Sequence, residues 1–96
     1  MFVLITYDVN ITSQNGARRL RKVARACLDY GHRVQNSVFE CVLTESQFVI
    51  LKERLKAIID RDSDSIRFYM LGKNWERKVE SCGKNMAVDV TGNLII

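Results

Sequence analysis

The sequence is short of the side chains that most enzymes work with. It holds one histidine, His32, in 96 residues. Any Ser-His-Asp triad, Cys-His pair or multi-histidine metal centre would have to use it, which excludes much of the usual enzyme repertoire. The three cysteines, Cys27, Cys41 and Cys82, are odd in number and have no C-x-x-C spacing. Disulfides and a zinc knuckle are therefore not expected, and a reducing cytoplasm suits the chain. No apolar run approaches the ~18–20 residues of a membrane span, and no membrane partner is expected. The opening Met1-Phe2-Val3-Leu4-Ile5 lacks a basic flank and a small-residue cleavage site, so it reads as a strand and not as a signal peptide. Internal repeats of solenoid length and low-complexity segments are also missing.

What is present suits one small folded domain covering residues 1–96. Hydrophobic residues make up 47% and charged residues 27% of the chain, a globular composition. A chain this short buries only roughly 60–65% of its unfolded surface on folding, so a second copy would add to its core. Fifteen Lys and Arg against eleven Asp and Glu leave a formal charge of +4. That surplus permits an anionic partner.

Phe2 to Tyr7 is a nearly continuous apolar run ending at Asp8, the pattern of a strand covered on both faces. Val9 to Gly16 is turn-like, and Thr12, Ser13 and Asn15 can each cap a helix. Leu20, Val23, Ala24, Cys27 and Leu28 then form a helical stripe, and Gly31 stands where a helix C′ glycine belongs. Arg33 to Leu43 alternates as a short hairpin turning at Gln35-Asn36-Ser37. Thr44-Glu45-Ser46-Gln47 fits a capping box. The helix it opens has Phe48, Leu51, Leu55, Ile58 and Ile59 on one face. Asp60 to Ser65 reads as a charged loop, and Ile66 to Leu71 as a further strand. A polar stretch through Asn85 contains Trp75. The chain closes on Ala87-Val88-Asp89-Val90 and Leu94-Ile95-Ile96.

Strand, helix, strand, strand, helix, strand is an α+β, ferredoxin-like βαββαβ arrangement, with both helices on one face of an antiparallel sheet. An additional C-terminal strand is expected. The second face of the sheet has no cover within the chain, so a homodimer is expected. Residues 85–96 would add as an edge strand or a tail packed on the partner protomer.

Few residues can carry chemistry. Asp8 ends a strand at the entry to a polar loop. A hard cation such as Mg²⁺ takes one or two carboxylates and completes its shell with waters and phosphate oxygens. One Asp8 is too little for a site, but two across a dimer twofold would suffice; alternatively, Asp8 turns the chain after the strand. Arg18, Arg19, Arg21, Lys22, Arg25 and Arg33 cluster within sixteen residues, with Asp29 the sole acid among them. Arginine forks match phosphate oxygens. The alternative is a solvated basic face, or one paired with Glu45, Glu53 or the Asp60-to-Asp64 loop. Tyr7 and Phe39 read better as core or interface residues than as base-stacking platforms, because no RNP-like aromatic run accompanies them, and Trp75 reads better as pinning its loop by packing than as serving a partner surface. Ser37 lacks an obvious base, and His32 sits where it would meet helix-end carbonyls.

Three segments taken together resemble a known family. These are Phe2-Val3-Leu4-Ile5-Thr6-Tyr7-Asp8-Val9, Arg33-Val34-Gln35-Asn36-Ser37-Val38-Phe39-Glu40 and Ile66-Arg67-Phe68-Tyr69-Met70-Leu71-Gly72. In order and spacing they are similar to the second universal CRISPR-associated protein, the small partner of the spacer integrase in antiviral defence. Leu71-Gly72 followed by Trp75, and the Gly92-Asn93-Leu94-Ile95-Ile96 ending, resemble its type I-C branch.

The resemblance implies a homodimer and a metal-dependent endonuclease cutting single-stranded RNA or double-stranded DNA. It also implies a role with the integrase in spacer acquisition. Carried over by position, Asp8 would ligate Mg²⁺ or Mn²⁺, and Arg33, Ser37 and Phe39 would lie near the catalytic site. Arg18 or Arg19 would match the family's helix-one arginines. Two further readings stand beside it. One is a non-catalytic DNA-binding scaffold bridging integrase dimers; the other is a small-molecule regulatory domain of the same topology.

Overall fold

The computed structural model describes residues 1–71 and 79–83. The elements run β1 (Phe2–Asp8), α1 (Gly16–Leu28), β2 (Gly31–Gln35), β3 (Val38–Val42), α2 (Glu45–Ile58), β4 (Ser65–Leu71) and β5 (Val79–Gly83). The described strands form one sheet of order β2-β3-β1-β4-β5, with every neighbouring pair antiparallel. The expected α+β, ferredoxin-like architecture is present, and β1 is its central strand.

Strand alternation assigns the two faces. Val3, Ile5 and Tyr7 of β1 face the helices and are buried. They pair with Cys41 and Phe39 on one side and with Met70, Phe68 and Ile66 on the other. Val23, Ala26 and Cys27 of α1 and Phe48, Leu51 and Leu55 of α2 close the same core. Phe48 meets Phe68 edge-on, with ring centroids 5.6 Å apart. The reverse face has no cover among the described residues. Phe2 is exposed there, Leu4 and Thr6 are half-buried, and Val42 is 78% exposed.

The capping box forms as the sequence indicates: Gln47 N–H donates to Thr44 Oγ1 at 3.1 Å, and Thr44 N–H to Gln47 Oε1 at 2.9 Å. Elsewhere the structure corrects the sequence reading. The α1 stripe is rotated, so that Ala26 is buried while Leu28 is 48% exposed. Gly31 is not a left-handed helix cap. Asp29 ends α1 in a right-handed conformation, and Gly31 instead begins β2, where a Cβ would collide with the Glu40 carbonyl and Cys41 Sγ. The Asp60-to-Ser65 segment is not wholly a solvated loop, since Asp64 is fully buried. A strand, β5, lies inside the stretch read as polar, and pairs with β4 from Ser65↔Gly83 to Tyr69↔Val79. Trp75 and the C-terminal strand or tail at 85–96 lie outside the described residues.

Candidate metal and nucleic-acid site

Asp8 closes β1 and lies, by alternation, on the face away from the helices, where it is exposed. Its backbone neighbours are fixed on both sides. β4 holds it through the Asp8↔Ser65 pairing, and the preceding Tyr7 N–H donates to the Ser37 carbonyl of the β2–β3 turn at 3.1 Å. Asp8 and Ser37 are thus brought to one end of the sheet. Among the described residues no Lys, Arg or His forms an ion pair with the Asp8 carboxylate.

Arg33 and Phe39 belong to the other face. They are register partners, and the Arg33 guanidinium lies 5.2 Å from the Phe39 ring centroid. Tyr7 stacks on Phe39 with centroids 6.0 Å apart, and its hydroxyl donates to the Asn36 carbonyl at 3.3 Å. Burial raises the Tyr7 phenol, against a smaller opposing effect of Arg33. Phe39 is fully buried, so what it contributes at this end is packing under Tyr7 and Arg33, not contact with a ligand.

The α1 residues divide. Arg18, Arg21, Lys22 and Arg25 are exposed. Arg25 leans towards Asp29 at 3.7 Å, and Arg54 takes the other Asp29 oxygen at 2.8 Å. Arg19 is engaged elsewhere: its Nε donates to Asp64 Oδ2 at 2.7 Å, and Nη1 and Nη2 donate to the Gln14 carbonyl and Ser13 Oγ, each at 2.6 Å. Burial alone would push the Asp64 carboxyl up. Hydrogen bonds from Arg19 and from the Asp60 and Asn10 N–H groups outweigh it and hold the carboxyl below its usual value. Sequence reading placed Asp64 in a charged loop; the hydrophobic residues on either side of 60–65 carry no sign that one of the three aspartates turns inward.

α1 begins without a side-chain cap and without an acid in its first turn, so its N-terminal partial charge is uncompensated. A cleft of about 370 Å³ opens beside it, lined by Asn15, Arg18, Arg19, Lys22, Ala57 and Ile58. Arg18 and Lys22 line it as exposed cations, while Arg19 is paired with Asp64. The cysteines take no part. Burial pushes the Cys27 thiol up to about 12 and the Cys41 thiol to about 11, which keeps both protonated and poor as ligands or nucleophiles. His32 lies 3.2 Å from Glu40 on the open face, not on helix-end carbonyls.

The donor set can be tested against a cation. No cluster of three His, Cys, Asp or Glu residues exists among the described residues. One exposed carboxylate fits a hard, largely hydrated ion as a single protein ligand, and does not fit a closed structural site.

Residues 1–79 match the sequence profile of the family described as CRISPR associated protein Cas2. The chain is 55% identical to a Rhodospirillum rubrum protein named CRISPR-associated endoribonuclease Cas2 3, covering 98% of this chain and 99% of that one. It is 52% identical to a Halalkalibacterium halodurans protein named CRISPR-associated endonuclease Cas2, covering 99% of each. Among solved structures, Streptococcus pyogenes Cas2 at pH 6.5 is similar with a TM-score of 0.71 and 61% identity, covering 86% of this chain and all of that one. The chain belongs to the Cas2 family.

Proposed function

We propose that this Cas2-family chain is a metal-dependent endonuclease of the CRISPR adaptation module, acting with the integrase in spacer acquisition. A nuclease role follows from family membership and from the endoribonuclease and endonuclease names of relatives matched along nearly their whole length. The substrate is a phosphodiester of single-stranded RNA or duplex DNA.

Asp8 carries the finer reading: a carboxylate exposed on the open face, without an ion-pair partner among the described residues, at the end of a strand braced on both sides. One carboxylate per chain leaves a cation site half-built, and a homodimer across the open face would supply the second. The exposed Phe2 and Val42 on that face support this pairing. A bound Mg²⁺ or Mn²⁺ would polarise a phosphoryl oxygen and lower the pKa of a coordinated water. Asp8 would hold the ion in reach of solvent. Ser37 would lie beside it through the Tyr7 backbone, and Arg33 would stand near the strand end as a cation. Phe39 would act beneath Arg33 and Tyr7 as support.

A specific observation also favours a second reading, a DNA-binding scaffold that bridges integrase dimers without cutting. Arg18, Arg21, Lys22 and Arg25 present a basic face beside the uncapped start of α1. Such a surface holds phosphates whatever Asp8 does, with affinity that falls steeply with salt.

The deciding experiment pairs cleavage with binding for wild type and Asp8→Ala, on labelled duplex DNA and single-stranded RNA, with Mg²⁺, Mn²⁺ or chelator. The expected result is cutting by wild type only with metal, and binding without cutting by Asp8→Ala. Cleavage that survives in clean Asp8→Ala sinks the Asp8 assignment. Equal binding and no cutting by either protein favours the scaffold.

A further inference from the structure

After Asp8 the chain passes through Val9 and Asn10 and turns into α1. Several contacts fix that exit. The Asn10 N–H donates to Asp64 Oδ1 at 3.0 Å. The Asn10 carbonyl accepts from Ser13 N–H at 3.3 Å and from Ser13 Oγ at 2.7 Å. Gly16 packs so closely that a Cβ there would overlap the Asn10 carbonyl and the Ile11 backbone.

The same carboxylate holds the neighbouring strand. Asp64 immediately precedes Ser65, the β4 residue paired with Asp8. Its Oδ2 accepts from the Asp60 N–H at 2.9 Å and from Arg19 Nε at 2.7 Å, and Arg19 Nη2 lies 3.2 Å from Oδ1. Arg19 continues to Gln14 and Ser13 in the turn before α1. One buried carboxylate therefore ties the exit of β1, the entry of β4 and the first turn of α1. The first two of these flank Asp8, one following it along the chain and the other paired with it across the sheet.

A buried carboxylate is costly unless fully partnered. Replacing such a pair with apolar side chains is often neutral for stability, so stability alone is a weak reason for it. What a two-point Arg–carboxylate contact supplies is fixed geometry. We infer that Arg19 and Asp64 are positioning residues for Asp8: the pair sets where the Asp8 carboxylate stands at the sheet end, and Arg19 acts through Asp64 and not by touching phosphate. The inference rests on the reading of Asp8 as a cation ligand. It has force because a misplacement of about 1 Å at a reacting centre costs rate heavily.

The test uses Asp64→Asn, which keeps the shape and removes the charge, and Arg19→Lys, which keeps the charge and removes the fork. Arg61→Gln removes an exposed charge from the same loop as a control, and Asp8→Asn tests the underlying reading. Four quantities are measured on each folded protein. They are the single-turnover cleavage rate with Mn²⁺ and the Kd for single-stranded RNA and duplex DNA, then Mn²⁺ affinity by water-proton relaxation and amide exchange at Asn10 and Asp60 by NMR.

Asp64→Asn and Arg19→Lys are expected to lower the rate and Mn²⁺ affinity by about tenfold or more, as for residues that orient a metal ligand. Nucleic-acid Kd should stay within about twofold, and the Asn10 and Asp60 amides should exchange faster. Arg61→Gln should match wild type. Faster Asn10 exchange with wild-type rate and Mn²⁺ affinity overturns the inference. So does Arg19→Lys weakening nucleic-acid binding at an unchanged rate, which would make Arg19 a phosphate contact. If Asp64→Asn fails to fold, Arg19→Lys decides by the same readouts. An Asp8→Asn protein that cuts and binds Mn²⁺ like wild type removes the Asp8 reading and this inference with it. An inactive Asp8→Asn beside an unaffected Asp64→Asn removes the inference alone.

Discussion

Asp8, at the end of β1, and Asp64, just before the start of β4, stand at the same end of the sheet, and they meet opposite fates. Asp64 is fully buried and accepts hydrogen bonds from Arg19, Asn10 and Asp60. Asp8 is exposed and has no ion-pair partner among the described residues. A carboxylate whose lone pairs are filled by the protein can only hold structure. A carboxylate whose lone pairs face water can take a cation. The two are related: the first fixes the backbone on which the second sits.

Substitutions at the two positions should separate these roles, and the largest effect is expected at the buried one. Asp64→Ala leaves Arg19 with no carboxylate and two backbone N–H groups without an acceptor. A loss of about 3–5 kcal/mol is expected, read as a fall in the urea midpoint at unchanged slope. A loss below about 1 kcal/mol would place Asp64 in the exposed class and erase the contrast.

Acid should produce a smaller effect with a definite sign. The Asp64 carboxyl in the folded state lies below its ordinary value of 3.8. The unfolded chain therefore binds this proton first, and the stabilisation is complete above pH 3.8 and lost as pH falls through the folded value. Wild-type stability should decline below about pH 4 more steeply than that of Asp64→Asn. Parallel declines in urea melts of the two proteins would show that other carboxylates carry the acid sensitivity.

The smallest stability effect belongs to Asp8. Removing an exposed carboxylate should change unfolding free energy by no more than about 0.5 kcal/mol in Asp8→Ala, while cleavage is lost. A large destabilisation would turn Asp8 into a second structural carboxylate and undo the comparison from the other side.

Much of the fold was legible because local patterns carry it. Strand alternation at 38–43 and 66–71, and the Thr44–Gln47 capping box, depend on neighbours in sequence, and the structure bears them out. β5 was missed because Val79–Gly83 offers only short polar and apolar steps, and its pairing with β4 comes from across the sheet. Gly31 was misread for the same reason: the need for a missing Cβ arises from β3 and not from the helix before it. In the site, the Asp8 position at a strand end was readable from the apolar run that precedes it. The separation of Asp8 from Arg33 and Phe39 was not readable, because the opposed faces are set by the register of β1, β3 and β2.

The sequence by itself determined the element order as far as β4, the α2 cap, the core stripe of β1 and the concentration of cations on α1, since each is a matter of residue type and local period. Only the tertiary structure decided which charges are available. Arg18 and Arg19 are adjacent in sequence, yet one is exposed and the other is tied to a carboxylate 45 residues away. Asp62 and Asp64 likewise differ only in that Asp64 points into the junction of β1, β4 and α1. Burial and long-range hydrogen bonding depend on where distant segments pack, and no local pattern of residue types encodes that.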